Sequence, residues 1–121
     1  MSTHPDHGTE LVQRPERTPD AVRLALDRIA PHRLDEMEKH MEEALAAAIR
    51  SSKIGHLQHW LTHWAAQVEF ERRPALSARR SRALATIHGT TSRDDPAFRS
   101  AMDELCAVEE MATQAVSGCK A

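Results

Sequence analysis

Tyrosine is absent from this chain of 121 residues, and aromatic residues make up 3% of it: Phe70, Phe98, Trp60 and Trp64. A core with so few rings has to be built from Leu, Ala, Met, Ile and Val, which suits packed helices better than a sheet. Glycine is also scarce, with four in the whole chain. A β-rich or loop-rich enzyme needs more tight turns than that. The two cysteines, Cys106 and Cys119, match no metal or redox spacing, and they read as reduced thiols of a cytoplasmic protein. No apolar run reaches the roughly 18 residues that would span a bilayer, and the polar N-terminus argues against a signal peptide. Neither sign of charge dominates: the formal net charge is −2, which does not mark the whole molecule as a polyanion binder.

The motifs of catalysis are missing as well. There is no Gly-x-Ser-x-Gly, no phosphate-binding glycine loop and no dinucleotide fingerprint. A carboxylate-bridged di-iron bundle needs Glu-x-x-His pairs, and none occurs; Glu36 and His40 are four apart, on a polar face. The expectation is a non-catalytic protein without a cofactor.

What is present is helical periodicity, interrupted by good stop signals. Residues 1–17 have two prolines and no apolar period, and are expected to be a disordered arm. Thr18 followed by Pro19 is a cap and a first helical position, and Val22, Ala25, Leu26 and Ile29 then share one face until Pro31 stops the helix. A second helix over about 33–50 carries the stripe Leu34, Met37, Met41, Ala44, Leu45 and Ala48, with Asp35, Glu36, Lys39, His40 and Glu43 pointing away. Ser51, Ser52 and Gly55 mark a turn. A third helix, about 54–72, gathers Ile54, Leu57, Trp60, Leu61, Trp64 and Val68 on a broad face. With both tryptophans there, it is expected at the centre of the core, Trp60 and Trp64 being its anchors. A fourth helix, about 75–88, has Leu76, Ala83, Leu84 and Ile87 inward and Gly89 as its C-cap; a fifth, 96–116, is opened by Asp95–Pro96 and aligns Phe98, Met102, Leu105, Ala112 and Val116. Cys106 falls on the margin of that apolar face and reads as a packing residue. Residues 117–121 are expected to fray. The fold class is therefore all-α: a small bundle of four to five helices in one domain, 18–116, behind the arm.

Two surface patterns bear on function. His56, His59 and His63 lie on one helical face, and histidines four apart can hold a metal ion. However, the string His59-Trp-Leu-Thr-His63 lacks the glutamate of a zinc hydrolase, and the stripe borders the tryptophan face, where a half-buried, hydrogen-bonded histidine serves equally well. From Arg72 to Arg93 there are six arginines (72, 73, 79, 80, 82 and 93) and no acid, whereas the second helix is acidic. An outward strip of Arg72, Arg73, Arg79 and Arg82 would suit an acidic protein partner or nucleic acid phosphates. The alternative is that these charges pair across the surface with the acidic helices. No stacking aromatics interleave with the arginines, which weakens the nucleic-acid reading.

Some of these residues also carry a resemblance. Arg17-Thr18-Pro19 opening a helix with Val22, Ala25 and Leu26 is followed by an acidic helix ending Ala44-Leu45-Ala46. Leu57, Leu61 and Trp64 come next, then Arg73-Pro74-Ala75-Leu76. Over roughly residues 17–84 the chain thus resembles a family of small actinobacterial helical proteins, a domain of unknown function. The likeness implies an antitoxin-like member of a toxin–antitoxin pair. It leaves open whether the helix 96–116, an addition to shorter members, completes the bundle or embraces a partner. Taken together, the expected function is a protein-binding module, antitoxin-like or regulatory, whose partner is another protein such as a toxin or regulator. A nucleic-acid-binding regulator and a metal-binding helical protein are the alternatives, no membrane is involved, and a homo-oligomer is open.

Overall fold

The computed structural model describes residues 10–117, and among them it contains helices and no strand. Helix α1 spans Pro19–Ile29, and the Thr18 hydroxyl accepts from the Ala21 amide at 3.2 Å, as an N-cap should. Pro31 ends it and opens a single 3-10 turn, Pro31–Arg33, that leads directly into α2, Leu34–Ser51. Ser52 closes α2 in the left-handed conformation, φ 60°. Helix α3 covers Gly55–Arg72 and α4 covers Pro74–Gly89, with Pro74 at its first position. Gly89 is the last helical residue rather than the cap; the cap is Thr90, whose hydroxyl donates to the Thr86 carbonyl. Helix α5, Pro96–Ser117, begins where the Asp95 carboxylate accepts from the Ala97 amide at 2.9 Å.

The helices are arranged around α3. Seven consecutive residues of it, Trp64 to Phe70, are buried on every side. Helices α1, α2, α4 and α5 all pack on α3, whereas neither α1 nor α2 touches α4 or α5. Val22, Ala25 and Leu26 of α1, Met37 of α2, Leu76 of α4 and Val108, Ala112 and Val116 of α5 meet Trp60, Trp64 and Val68 in one core. The expectation of α3 as the centre is met, and the fifth helix completes the bundle by packing along α3 and α4.

Three expectations about phase and burial are corrected. In α5 the buried side runs through Ala101, Val108, Ala112 and Val116, while Met102 is 37% exposed. The small side chain of Ala101 faces inward where the apolar period alone predicts the longer methionine. Cys106 is exposed rather than packed; Cys119 lies outside the described residues. In α2 the apolar stripe is buried only near its start, at Met37, and is open at Leu45. The reason is length. Helix α1 has 11 residues and α2 and α3 have 18 each, so at 1.5 Å per residue α1 ends roughly 10 Å short of the far end of the α2–α3 hairpin.

Of the expected arm, residues 1–9 lie outside the described residues. Residues 10–17 form no helix or strand, yet they are tied to α3: the Leu11 amide donates to the Arg72 carbonyl at 2.8 Å, and Arg14 reaches Glu69. Hydrophobic periodicity gave no sign of this docking because polar groups make it. Of the expected frayed tail, Ser117 belongs to α5 and 118–121 lie outside the described residues.

Candidate functional site

The arginines expected as one outward strip are not brought together as one. Arg72 is buried at 3% exposure, and its guanidinium donates to both oxygens of Glu69, at 2.9 and 3.2 Å, as well as to Glu10 and the Val12 carbonyl. Arg73 donates to the same carboxylate at 3.2 Å. Arg14 adds a bidentate pair at 3.0 and 2.8 Å. Three guanidinium groups thus converge on one fully buried carboxylate. Burial alone would raise its pKa, but the hydrogen bonds from Arg14 and Arg72 outweigh that and hold it down at about 2. This is a structural knot that locks the N-terminal segment and the end of α3 together, and it takes Arg72 and Arg73 out of the candidate binding surface.

Arg79 is committed as well. It makes a bidentate pair with Glu104 of α5, at 2.7 and 3.0 Å, which raises the arginine pKa and lowers that of the carboxylate. The neighbouring Arg80 lays its guanidinium 4.7 Å from the centre of the Phe70 ring, its stem along the core edge and its head towards Glu109. Of the four strip residues only Arg82 is exposed and makes no ion pair among the described residues. Run-length charge counting missed the α5 pairs because Glu104 and Glu109 are far away in sequence, and missed Glu69 because it lies one turn before the run, on α3.

The histidines do come together. His40 of α2 joins His56, His59 and His63 of α3 along a groove of about 590 Å³ between the two helices. The groove is floored by Trp60 and Trp64, with Lys53 and Glu43 at its rim. The rings of His59 and His63 are stacked at 6.4 Å, and His40 stands 6.0 Å from His63 and 5.6 Å from Trp64. Burial, followed by the charges of His40, His59 and Arg33, lowers the pKa of His63; Glu36 opposes them. The metal expectation for His56, His59 and His63 is not met by this geometry: among the described residues no three His, Cys, Asp or Glu side chains are placed to hold an ion. His56 and His59 are exposed residues, whereas His63 is half-buried against Trp64, edge to face at 5.4 Å.

Trp60 and Trp64 are core anchors as expected, at 7% and 0% exposure. The Trp60 indole donates to the Met37 carbonyl at 3.2 Å, clamping α3 to α2. Arg33 stacks on Trp64 at 5.0 Å while donating to Gln67 and Glu71 of α3 and to Glu36 of α2.

The surface that sequence reading did not single out is the far end of the α2–α3 hairpin. There Leu45, Ile49 and Ile54 are 46%, 72% and 67% exposed, with no described element over them. Periodicity places Leu45 in the buried stripe of α2 and Ile54 on the core face of α3, and the structure buries neither. The signal available was the mismatch between an 11-residue α1 and its 18-residue neighbours. No helix among the described residues is long and apolar enough to cross a membrane. Comparison with known proteins finds no matching family, curated relative or solved structure.

Proposed function

We propose that this chain is a non-catalytic protein-binding module, and that it binds through the uncovered end of the α2–α3 hairpin, which pairs with the same surface of a second copy. The observation that carries the reading is the exposure of Leu45 and Ile49, one turn apart on α2, together with Ile54 at the start of α3. Exposed apolar surface of this kind marks interaction sites. Charge selects the occupant. Glu42 precedes the patch on α2 and Arg50 follows it, both exposed and neither ion-paired among the described residues. In a twofold pair the two α2 helices run antiparallel about an axis between Leu45 and Ile49. Glu42 of each copy then lies beside Arg50 of the other, and the apolar residues meet at the centre.

A regulatory, antitoxin-like role fits this arrangement. Its support is the resemblance carried by Arg17-Thr18-Pro19, Ala44-Leu45-Ala46 and Arg73-Pro74-Ala75-Leu76, and dimeric presentation gives such a protein a twofold face. The nucleic-acid alternative is weakened, since Arg72, Arg73 and Arg79 are engaged by Glu69 and Glu104.

Sedimentation velocity at tens of micromolar tests the pairing. The wild-type chain is expected at twice the chain mass. Leu45→Glu with Ile49→Glu is expected at the single mass, with an unchanged helical circular dichroism signal because both side chains are exposed. Glu42→Arg alone should weaken the dimer and Glu42→Arg with Arg50→Glu should restore it. A monomeric wild type, or a swap that fails to restore, overturns the proposal.

A further inference from the structure

The imidazoles of His40 on α2 and His63 on α3 stand 6.0 Å apart across the seam between the two helices. Both lie against the same buried indole, Trp64, at 5.6 and 5.4 Å. That indole already carries the permanent charge of Arg33 at 5.0 Å. A third imidazole, His59, is stacked 6.4 Å from His63 on α3 itself. Opposite charge is short here. Glu36 is the one acid that opposes the positive groups at His63, and Arg33 holds both of its oxygens, at 3.2 and 3.3 Å. At the rim of the groove Lys53 offsets Glu43 in charge. The groove of about 590 Å³ runs along these rings and lets water and protons reach them. The helix on the other side of the seam is the one most easily released. Helix α2 buries Met37 alone, fewer residues than any other α-helix, and its principal neighbour is α3.

We propose that the α2–α3 seam is an acid-sensitive clasp: protonation of His40 and His63 drives the two helices apart, and α2 leaves its dock on α3 while α4 and α5 stay packed. The inference goes beyond the protein-binding reading and does not depend on it, because it needs no second copy. Two effects oppose charging His63 in the docked state. Burial is the larger, and the positive charges of His40, His59 and Arg33 add to it; together they hold the His63 pKa below the ordinary 6.5, with Glu36 pulling the other way. A histidine whose folded-state pKa is lowered favours the docked arrangement above pH 6.5, and that support is lost as pH falls from 6.5 through the lowered value. Undocking relieves the His40–His63 repulsion and exposes His63 to water. It does not relieve the His59–His63 repulsion, because α3 carries both rings in either state. It also breaks the bond from the Trp60 indole to the Met37 carbonyl, so both tryptophans of the chain report it.

Hydrogen exchange of the full chain, expressed as protection factors at pH 7.5 and pH 5, tests the clasp. Both values lie above the range in which Glu69 and Glu36 titrate, since their pKa values are lowered from 4.5. Protection of α2 should be lost at pH 5 while that of α4 and α5 holds, and the tryptophan emission maximum should move to longer wavelength. The wavelength is read rather than the intensity, because an imidazolium quenches a neighbouring indole without any opening. His40→Gln and His63→Gln each remove one side of the pair; either one, with the wild-type helical signal at pH 7.5, should keep α2 protected at pH 5. His59→Gln, and His32→Gln with His88→Gln, alter exposed histidines off the seam and should respond as the wild type does. Leu45→Glu with Ile49→Glu should also lose α2 protection at pH 5; if it does not, acid acts on the dimer and the clasp is overturned. Wild-type α2 that stays protected at pH 5, protection lost equally from every helix, or a His40→Gln chain that opens like wild type overturns it as well.

Discussion

The guanidinium of Arg14 closes a bidentate pair on Glu69, 55 residues along the chain, and this pair fastens the segment ahead of α1 to the most deeply buried helix. Removing residues 1–16, so that the chain starts at Arg17, takes away this contact and those of Glu10 and Val12 with Arg72. The helical signal should persist, because α1 to α5 all remain. The loss should nonetheless cost about 1 kcal/mol, worth roughly 5 °C in melting temperature for a domain of this size. Thermal denaturation followed by circular dichroism decides it, and an unchanged midpoint would show that the segment contributes nothing to stability.

Glu69 itself should be far more sensitive. Replacing it with Gln leaves Arg72, whose side chain is 4% exposed, with the partly exposed Glu10 as its one remaining carboxylate among the described residues. Breaking a buried pair by removing one member costs about 3–5 kcal/mol. Urea denaturation of Glu69→Gln should show a much lower midpoint with the slope preserved, and Arg14→Ala a smaller drop, since Arg72 and Arg73 still hold the carboxylate.

The same carboxylate gives a pH signature. Its pKa is about 2 in the folded protein against an ordinary 4.5. A depressed folded-state pKa contributes stability that is fully present above pH 4.5 and is lost as pH falls through the range from 4.5 to 2. The amount is up to about 3 kcal/mol, because a tenfold change in proton affinity between the folded and unfolded chain corresponds to roughly 1.4 kcal/mol. Stability measured across this range should fall steeply for the wild type and more gently for Glu69→Gln; parallel curves would mean that Glu69 titrates normally.

Trp64→Ala should destabilise by about 3–5 kcal/mol, as truncation of a large buried aromatic typically does. The side chain is fully buried between α1, α2 and the rest of α3 and carries the stacked Arg33. A melting temperature within a degree or two of wild type would contradict the core assignment.

Arg79 and Arg82 should behave differently from each other. Arg79→Glu places two carboxylates together at Glu104 and should lower the melting temperature at low salt. Arg79→Glu with Glu104→Arg should recover it, and added salt should shrink the difference. Arg82→Glu, with no ion pair to lose among the described residues, should have the smaller effect. Equal effects of the two single changes would mean that the Arg79–Glu104 pair does not form in solution.

How much of this could be read from sequence depends on range. Thr18–Pro19 and Asp95–Pro96 announced two helix starts because capping is settled within four residues. The stripe of α3 announced the core because Trp60, Trp64 and Val68 recur at helical spacing. Glu69 was invisible by the same logic: it lies between buried Val68 and Phe70, but a glutamate counts as polar in any periodic reading, and of its three arginines only Arg72 and Arg73 are close in sequence, the third standing 55 residues earlier. The arginine strip failed for a related reason. A run of like charge in sequence becomes a charged surface only if no opposite charge faces it; Glu104 and Glu109 come from another helix, and Glu69, one turn before Arg72, is buried with it. In α5 both Ala101 and Met102 could occupy the inner face by periodicity, and packing against α4 and α3 made the choice. The histidine groove was half legible: the row on α3 was visible, whereas His40 across the groove came only from the way α2 lies against it.

Because α1 and α2 meet α4 and α5 only by way of α3, whereas α4 packs closely on α5, the molecule is wired as two wings on one axle. Loosening in one wing reaches the other only by disturbing the axle. Amide hydrogens of Trp64 to Phe70 should therefore exchange slowest of all and report global opening alone, while the α4–α5 pair and the α1–α2 pair should each be able to breathe on its own schedule. A signal received at the open tip of the α2–α3 hairpin has one rigid route to α5: straight down the axis of α3.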